Sequence, residues 1–248
     1  MRLRVVTYNI HKCRGMDGRY SPGRVVEILR EVEADLIALQ EVLNIEGAHR
    51  HRDQARYFAE ELGLQLKVGA NCTMQGGLYG NVILSRRPLV GGANHDLSVE
   101  GREKRGCIRA DVDLGNGRLL HLFNVHLGTS LRERRHQGRA LIDPRVIESP
   151  DLTGPRVVLG DFNDWTQGLA AQFLAARLSS VDIRTHLNRS RTYPGLLPLI
   201  HLDHIYFDDA LELERLVLHR TRKTLMASDH LPLMADFRLP GSAEAHTV

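Results

Sequence analysis

Five short polar clusters hold the side chains able to do chemistry: Thr7-Tyr8-Asn9, Gln40-Glu41, Asn124-Val125-His126, Gly160-Asp161-Phe162-Asn163 and Ser228-Asp229-His230. Each of the first four closes a β-rich run, LRVV, DLIAL, LLHLF and RVVL respectively. Such runs read as strands buried on both faces, and catalytic groups gather where strands give way to loops. Laid side by side, these strands bring acids, amides and imidazoles to one spot. Oxygen ligands of this kind hold a hard divalent cation, and the set suits activation of a phosphate ester. The pattern predicts an enzyme.

Taken singly, each cluster also has a plainer reading. Glu41 after a buried run either caps something or meets a cation, because an unpaired buried charge is costly. Asn9 alone is more often a turn former. Asp161 and Asn163 are two apart, so in extended geometry they share a face, and Gly160 allows a sharp bend or a close approach; the alternative is an Asx-turn. In Ser228-Asp229-His230-Leu-Pro an acid stands beside a proton-transfer group. A serine triad would use Ser228, but the chain has no GxSxG elbow. Asp203, at a strand start, is placed to orient His230. His126 alone would be a core or turn residue. Asn81 and Tyr79 are candidates for phosphate contact with an equal claim to packing. His11 and His204 stay open, and His201 reads as structural.

The elements needed to position these groups follow from pattern. Strands are expected over 3–9, 35–41, 64–69, 80–85, 107–113, 118–126, 156–161, 203–208, 212–219 and 231–238. Helices are expected over 22–33, 53–62, 131–142 and 166–177. Ser21-Pro22 supplies an N-cap and a first-turn proline, and Val25, Val26, Ile28, Leu29 and Val32 form one apolar face. Gly115-Asn116-Gly117 is a hairpin signal.

The 248 residues carry 33 Lys+Arg against 30 Asp+Glu, a net +3, which is too mild for a protein that coats DNA. The basic residues are bunched at 49–52, 102–109, 132–135 and 220–223, as would suit an anionic substrate. A hydrophobic share of 42% fits a sizeable core, and no stretch approaches the roughly 18 apolar residues of a membrane span. With three widely spaced cysteines and no leader-like N-terminus, a cytoplasmic location is the default. One domain over 1–240 is expected, with a frayed tail at 241–248.

TYNIH, LQEV, GNVILS, NVHL, GDFND, LDHIYF and SDHLPL, in that order over residues 3–238, resemble the endonuclease/exonuclease/phosphatase superfamily. This group includes deoxyribonuclease-type nucleases, abasic-site endonucleases, neutral sphingomyelinases, inositol-polyphosphate 5-phosphatases and deadenylases. TYNIHK, EKRG, GDFNDW and TYPGLLPLIHLDHIYF are similar to small bacterial members with poorly defined substrates. The resemblance implies a four-layer α/β/β/α sandwich of two facing mixed β-sheets, with helices outside and the site at one end.

It also implies roles. Asn9 and Glu41 resemble a metal-binding pair, with Asp229 an acid beside the metal, and Mg²⁺ or Mn²⁺ is the implied ion. Asp161 resembles the residue that orients or deprotonates the attacking water, and His230 the one that contacts the phosphoryl group, with Asp203 behind it. His126 matches the second histidine of the deoxyribonuclease-like branch. Asn163 resembles a phosphate-oxygen contact, an arginine within 102–109, here taken as Arg105, is matched to another, and Asn81 is the remaining candidate. His11 stands where the abasic-site branch has an acid, which argues against that branch. A phosphodiesterase or nuclease is the first expectation, with nucleic acid as partner. A sphingomyelinase-like activity on phospholipid or small esters is second, through the apolar stretch 194–200. A non-catalytic binding module is third.

Overall fold

Neighbouring residues of the central strands belong to different cores. Val5 and Ala38 pack between two sheets, whereas Val6 and Ile37 pack under helices. Alternation between two apolar environments is why these strands read as continuous hydrophobic runs rather than as half-polar ones. The computed structural model describes residues 1–47, 49–164, 168–180 and 202–239.

The first sheet has six strands. They are β1 (Arg2–Asn9), β2 (Leu36–Asn44), β3 (Gln65–Met74), β4 (Gly77–Ser85), β12 (Glu212–Leu218) and β13 (Leu233–Arg238), in the order β12-β13-β1-β2-β4-β3. The second comprises β5 (Leu89–Gly91), β6 (Asn94–Asp96), β7 (Gly106–Gly115), β8 (Arg118–His126), β9 (Arg156–Asp161), β10 (Ser179–Ser180) and β11 (Asp203–Phe207). Its order is β10-β11-β9-β8-β7-β5, with β6 also on β7. Each sheet has one parallel pair at its centre, β1–β2 and β8–β9, flanked by antiparallel strands.

A cluster that includes Leu3, Val5, Leu36 and Ile83 from one sheet and Ile108, Val112, Leu122 and Leu159 from the other fills the space between them. Outside the first sheet lie α1 (Pro22–Val32) and α2 (Gln54–Leu62), with Ile28, Leu29 and Phe58 packed on Val6, Ile37 and Val82. Outside the second lie α3 (Leu131–Leu141) and α4 (Leu169–Ala175), with Leu141 and Leu174 near Phe123 and Val158. Each fully buried side chain of this size contributes about 1.5–3 kcal/mol. The result is the four-layer sandwich, and no described helix is long and apolar enough to cross a membrane.

The predicted 115–117 turn is present, with positive φ at all three residues. Three features differ from expectation. β2 does not stop at Glu41: a bulge between Leu39 and Val42 lets it run on to Asn44. The three-residue strands β5 and β6 are too short to show a period. A one-and-a-half-turn helix, α5 (Arg222–Ala227), stands where only a connection was expected, started by a capping box of Thr221 and Thr224. The apolar stretch 194–200, His201 and the tail at 241–248 lie outside the described residues.

Candidate active site

The parallel pairs end at the same side of the molecule. Asn9 pairs in register with Gln40, and His126 with Asp161. Asp203 opens β11 opposite Asp161. His230 precedes β13, whose Leu233 lies beside Thr7. The clusters scattered along the chain thus arrive at one place.

Asp161 is the hub, buried to 1% exposure. Its Oδ1 accepts from the Asn163 backbone N–H at 2.9 Å, and its Oδ2 accepts from Asn9 Nδ2 at 3.0 Å. The same Oδ2 lies 3.6 Å from His126 Nε2 and 3.6 Å from His230 Nε2. Behind His230, Nδ1 meets Asp203 Oδ2 at 2.9 Å. Asn9 Nδ2 also donates to Glu41 Oε1 at 3.1 Å, which ties the acid of the first sheet to the acid of the second.

Local backbone explains how Glu41 gets there. It sits on the β2 bulge with φ 57°, and bulges re-aim side chains beside active sites. Its carboxylate turns toward Lys12, whose Nζ lies 2.5 Å from Oε2 and 5.6 Å from the centre of the Tyr79 ring. His11, Lys12 and Cys13 all have positive φ, three consecutive non-glycine residues at a cost on the order of 1–3 kcal/mol each. Buried Gln54 holds the strained turn by donating to the Lys12 carbonyl at 2.9 Å. At Gly160, φ is +146° and an added Cβ would meet the Val125 carbonyl oxygen at 1.9 Å. Only glycine lets β8 and β9 approach so closely beside His126 and Asp161.

The two histidines are driven in opposite directions. Burial depresses His126 to about 4, outweighing Asp161 and Glu41. Burial also opposes charge on His230, but Asp203 and Asp161 outweigh it and hold its pKa up at about 10. Near neutrality one imidazole is therefore neutral and the other cationic, the separation expected of an acid–base pair. Burial likewise opposes charge on Glu41, yet His126, Lys12 and the Asn9 amide bring its carboxyl down to about 2. At neutral pH, with His126 uncharged, the Lys12 ammonium and the amide carry that effect. Burial and neighbouring Glu41 keep the Tyr79 hydroxyl protonated.

The remaining expected residues divide. Asp229 is partly exposed, with Oδ1 3.8 Å from His11 Nδ1. Arg105 is buried, forms a two-point pair with Glu103 at 2.8 and 3.0 Å, and leaves Nε without a partner. Asn163 spends its amide on the Leu127 carbonyl at 2.9 Å. Asn81 is fully buried and donates to the Gly106 and Asn124 carbonyls, so its N–H groups do not face the site. Ser228 Oγ lies 2.7 Å from the Asn9 carbonyl and accepts from His230 N, a strut rather than a nucleophile. His204 meets the Asp164 carbonyl and packs on Phe162 and Tyr206.

Two positions carry more than their sequence context suggested. Lys12 lies inside TYNIHK, where the sequence points to Asn9 and leaves His11 open. Gln40 Nε2 donates to Asn124 Oδ1 at 2.7 Å and to Thr7 Oγ1 at 3.0 Å, while Asn124 Nδ2 donates to the Leu39 and Val82 carbonyls. This fully buried bridge joins the sheets directly behind the site.

The donor set fits a hard divalent cation. Glu41 supplies an ionised carboxylate, and the Asp229 side chain is a partly exposed oxygen donor. Among the described residues no three His, Cys, Asp or Glu side chains form a complete cage. Asn9, whose N–H groups now face both acids, is a ligand only with its amide reversed.

A two-sheet sandwich with acids, amides and imidazoles gathered at its strand ends defines a class of α/β/β/α proteins. The Endonuclease/Exonuclease/phosphatase family profile matches residues 6–230, and the chain belongs to that family. Uncharacterized protein YbhP of Escherichia coli K12 is 35% identical over 249 residues, covering 96% of each chain. The human Nocturnin catalytic domain shares the fold with a TM-score of 0.77 at 20% identity, covering 96% of this chain and 95% of that one. The Bacteroides thetaiotaomicron mannosyl-6-phosphatase Bt3783 shares it with a TM-score of 0.76 at 16% identity, covering 96% and 100%. Members of the family are generally phosphoesterases that use divalent metals.

Proposed function

We propose that this protein hydrolyses phosphodiesters with the help of Mg²⁺ or Mn²⁺, and that nucleic acid is its substrate class. The observation that carries the reading is the meeting of Asn9, His126 and His230 on one oxygen of Asp161, with Glu41 tied in through Asn9. Glu41 and Asp229 would hold the cation, with Asn9 as a third donor. Bound there, it would supply Lewis-acid neutralisation of charge on the phosphoryl oxygens.

The chain's own groups do the rest. Asp161 orients a water for in-line attack and takes its proton at Oδ2. His230, kept cationic by Asp203 and Asp161, places an N–H donor where negative charge grows in the transition state. Asp203 fixes the tautomer and orientation of that imidazole through Nδ1. Neutral His126 adds a polar group without adding repulsion to His230. Arg105, with its unpaired Nε, adds positive potential behind His126. Asn163 and Asn81 support the site through the backbone they hold. We place this activity in one domain and in the cytoplasm, a setting that agrees with free thiols at Cys13, Cys72 and Cys107.

The test is a panel of bis-nitrophenyl phosphate, plasmid DNA, RNA and phospholipid vesicles with Mg²⁺ or Mn²⁺. Hydrolysis of the simple diester and of a nucleic acid is expected, lost in EDTA and restored by added metal. Full activity in chelator would remove the cation from the account, and vesicle turnover alone would replace nucleic acid with phospholipid. Bt3783 is by name a phosphatase, so a monoester belongs in the panel as well.

A further inference from the structure

The strained turn at His11–Cys13 delivers Lys12 to a place the hydrolytic chemistry does not explain. Its side chain touches Glu41 on one side and on the other lines a cavity of about 330 Å³. Arg14, Tyr20, Leu43, Arg52 and Gln75 line the same cavity, so it lies between the segment after β1, strand β2, the turn before α2 and the β3–β4 hairpin. Every charged residue lining it is basic.

Several cations of the basic clusters are paired. Arg50 pairs with Glu60 and Glu61, Arg105 with Glu103, Arg109 with Asp111, and Lys223 with Glu27 and Glu31. Arg14 and Arg52 are exposed, and no ion pair with a carboxylate involves either among the described residues. Two guanidinium groups around one cavity, with the Glu41-paired Lys12 ammonium at its edge, suit phosphate, since the guanidinium fork matches phosphate oxygens in pairs. The Tyr20 ring, half exposed at the rim with its hydroxyl spent on the His51 carbonyl, offers a flat face beside them.

We propose that this cavity is a second-phosphate subsite, taking the non-reacting phosphate of a substrate that carries two while the scissile ester lies at Asp161 and His230. This rests on the hydrolase reading for the position of the reacting group. Lys12 stands at the seam and links the two phosphates' positions, which explains why the fold keeps three left-handed residues in a row there. The preferred substrate is therefore a doubly phosphorylated molecule, either a nucleotide strand with an adjacent phosphate or a small bisphosphate.

Calorimetric titration of the intact chain in chelator tests the subsite without turnover. The probes are a nucleoside 3′,5′-bisphosphate and propane-1,3-diol bisphosphate, each against its own monophosphate. Each bisphosphate should bind at least about tenfold tighter than its monophosphate, as charge-assisted contacts predict. In the Arg14→Gln/Arg52→Gln protein that advantage should fall below roughly twofold, while Mg²⁺-supported hydrolysis of bis-nitrophenyl phosphate stays unchanged. Arg14→Lys/Arg52→Lys should keep part of it. A larger gain for the nucleoside assigns the source to nucleic acid and a role to Tyr20; equal gains assign it to phosphate alone. Equal binding of mono- and bisphosphate to the parent, or a preference that survives charge removal, overturns the subsite. Failure of the parent to hydrolyse the diester overturns the hydrolase reading instead, and the binding comparison still judges the cavity.

Discussion

The molecule contains the same pair of residues twice, with different surroundings. Near the site, Asp203 meets His230 Nδ1 and the other ring nitrogen points to Asp161. At the opposite end, Asp111 Oδ1 meets His121 Nδ1 at 2.6 Å, and His121 Nε2 accepts from the Gly154 backbone N–H at 3.2 Å. Arg109 closes the second pair by binding Asp111. Both histidines are buried and both have an aspartate behind them, so neither burial nor pairing marks function. The destination of the second nitrogen does. In His121 it ends on the backbone and fixes the loop before β9. In His230 it faces a second carboxylate, Asp161 Oδ2, at 3.6 Å, on the atom where Asn9 and His126 also converge.

Mutations should separate the two pairs. Asp161→Ala or His230→Ala should lower kcat for a simple diester by roughly 10²-fold or more with the fold retained. Near-normal turnover in both would break the assignment. Asp203→Asn removes the orienting charge and should cost about 10–100-fold, read as a drop in kcat with little change in KM. His121→Leu should leave kcat/KM within roughly twofold yet lower unfolding free energy by about 1–3 kcal/mol, because Asp111 and Gly154 lose a buried partner. A kinetic defect there would erase the distinction.

The pH dependence of stability sharpens the contrast within the site itself. His126, depressed to about 4, adds stability that is present above its ordinary value of 6.5 and lost as pH falls toward 4. His230, raised to about 10, adds stability that is present below 6.5 and lost as pH rises toward 10. Melting temperature in metal-free buffer should therefore peak near neutrality. His126→Gln should flatten the acid limb and His230→Gln the alkaline limb; unchanged limbs would mean that these imidazoles titrate normally.

Much of this was legible beforehand. Strand ends carry their polar residues at fixed places, so Asn9, His126, Asp161 and Asp203 could be placed from pattern and resemblance alone. Glu41 was identified for a partly mistaken reason: the strand does not end there, and a bulge rather than a terminus turns the carboxylate. A bulge leaves no periodic trace in a nine-residue strand of which eight residues are buried. Asn81 carried the right neighbourhood but not its direction, since spacing fixes a face and not a hydrogen-bond partner. Lys12 escaped notice because a left-handed turn without glycine has no compositional signature. Its support, Gln54, lies 42 residues away.

Gln40 and Asn124 touch no substrate, yet they decide how far apart the two halves of the site stand. Each sheet brings its own share of the polar cluster, and an apolar filling alone would let the layers slide by fractions of an ångström. A directional amide-to-amide rivet resists that sliding, so loss of either partner should blur the spacing on which in-line attack depends. The precision of the reacting end is thus set from deep inside, at a point no solvent molecule reaches.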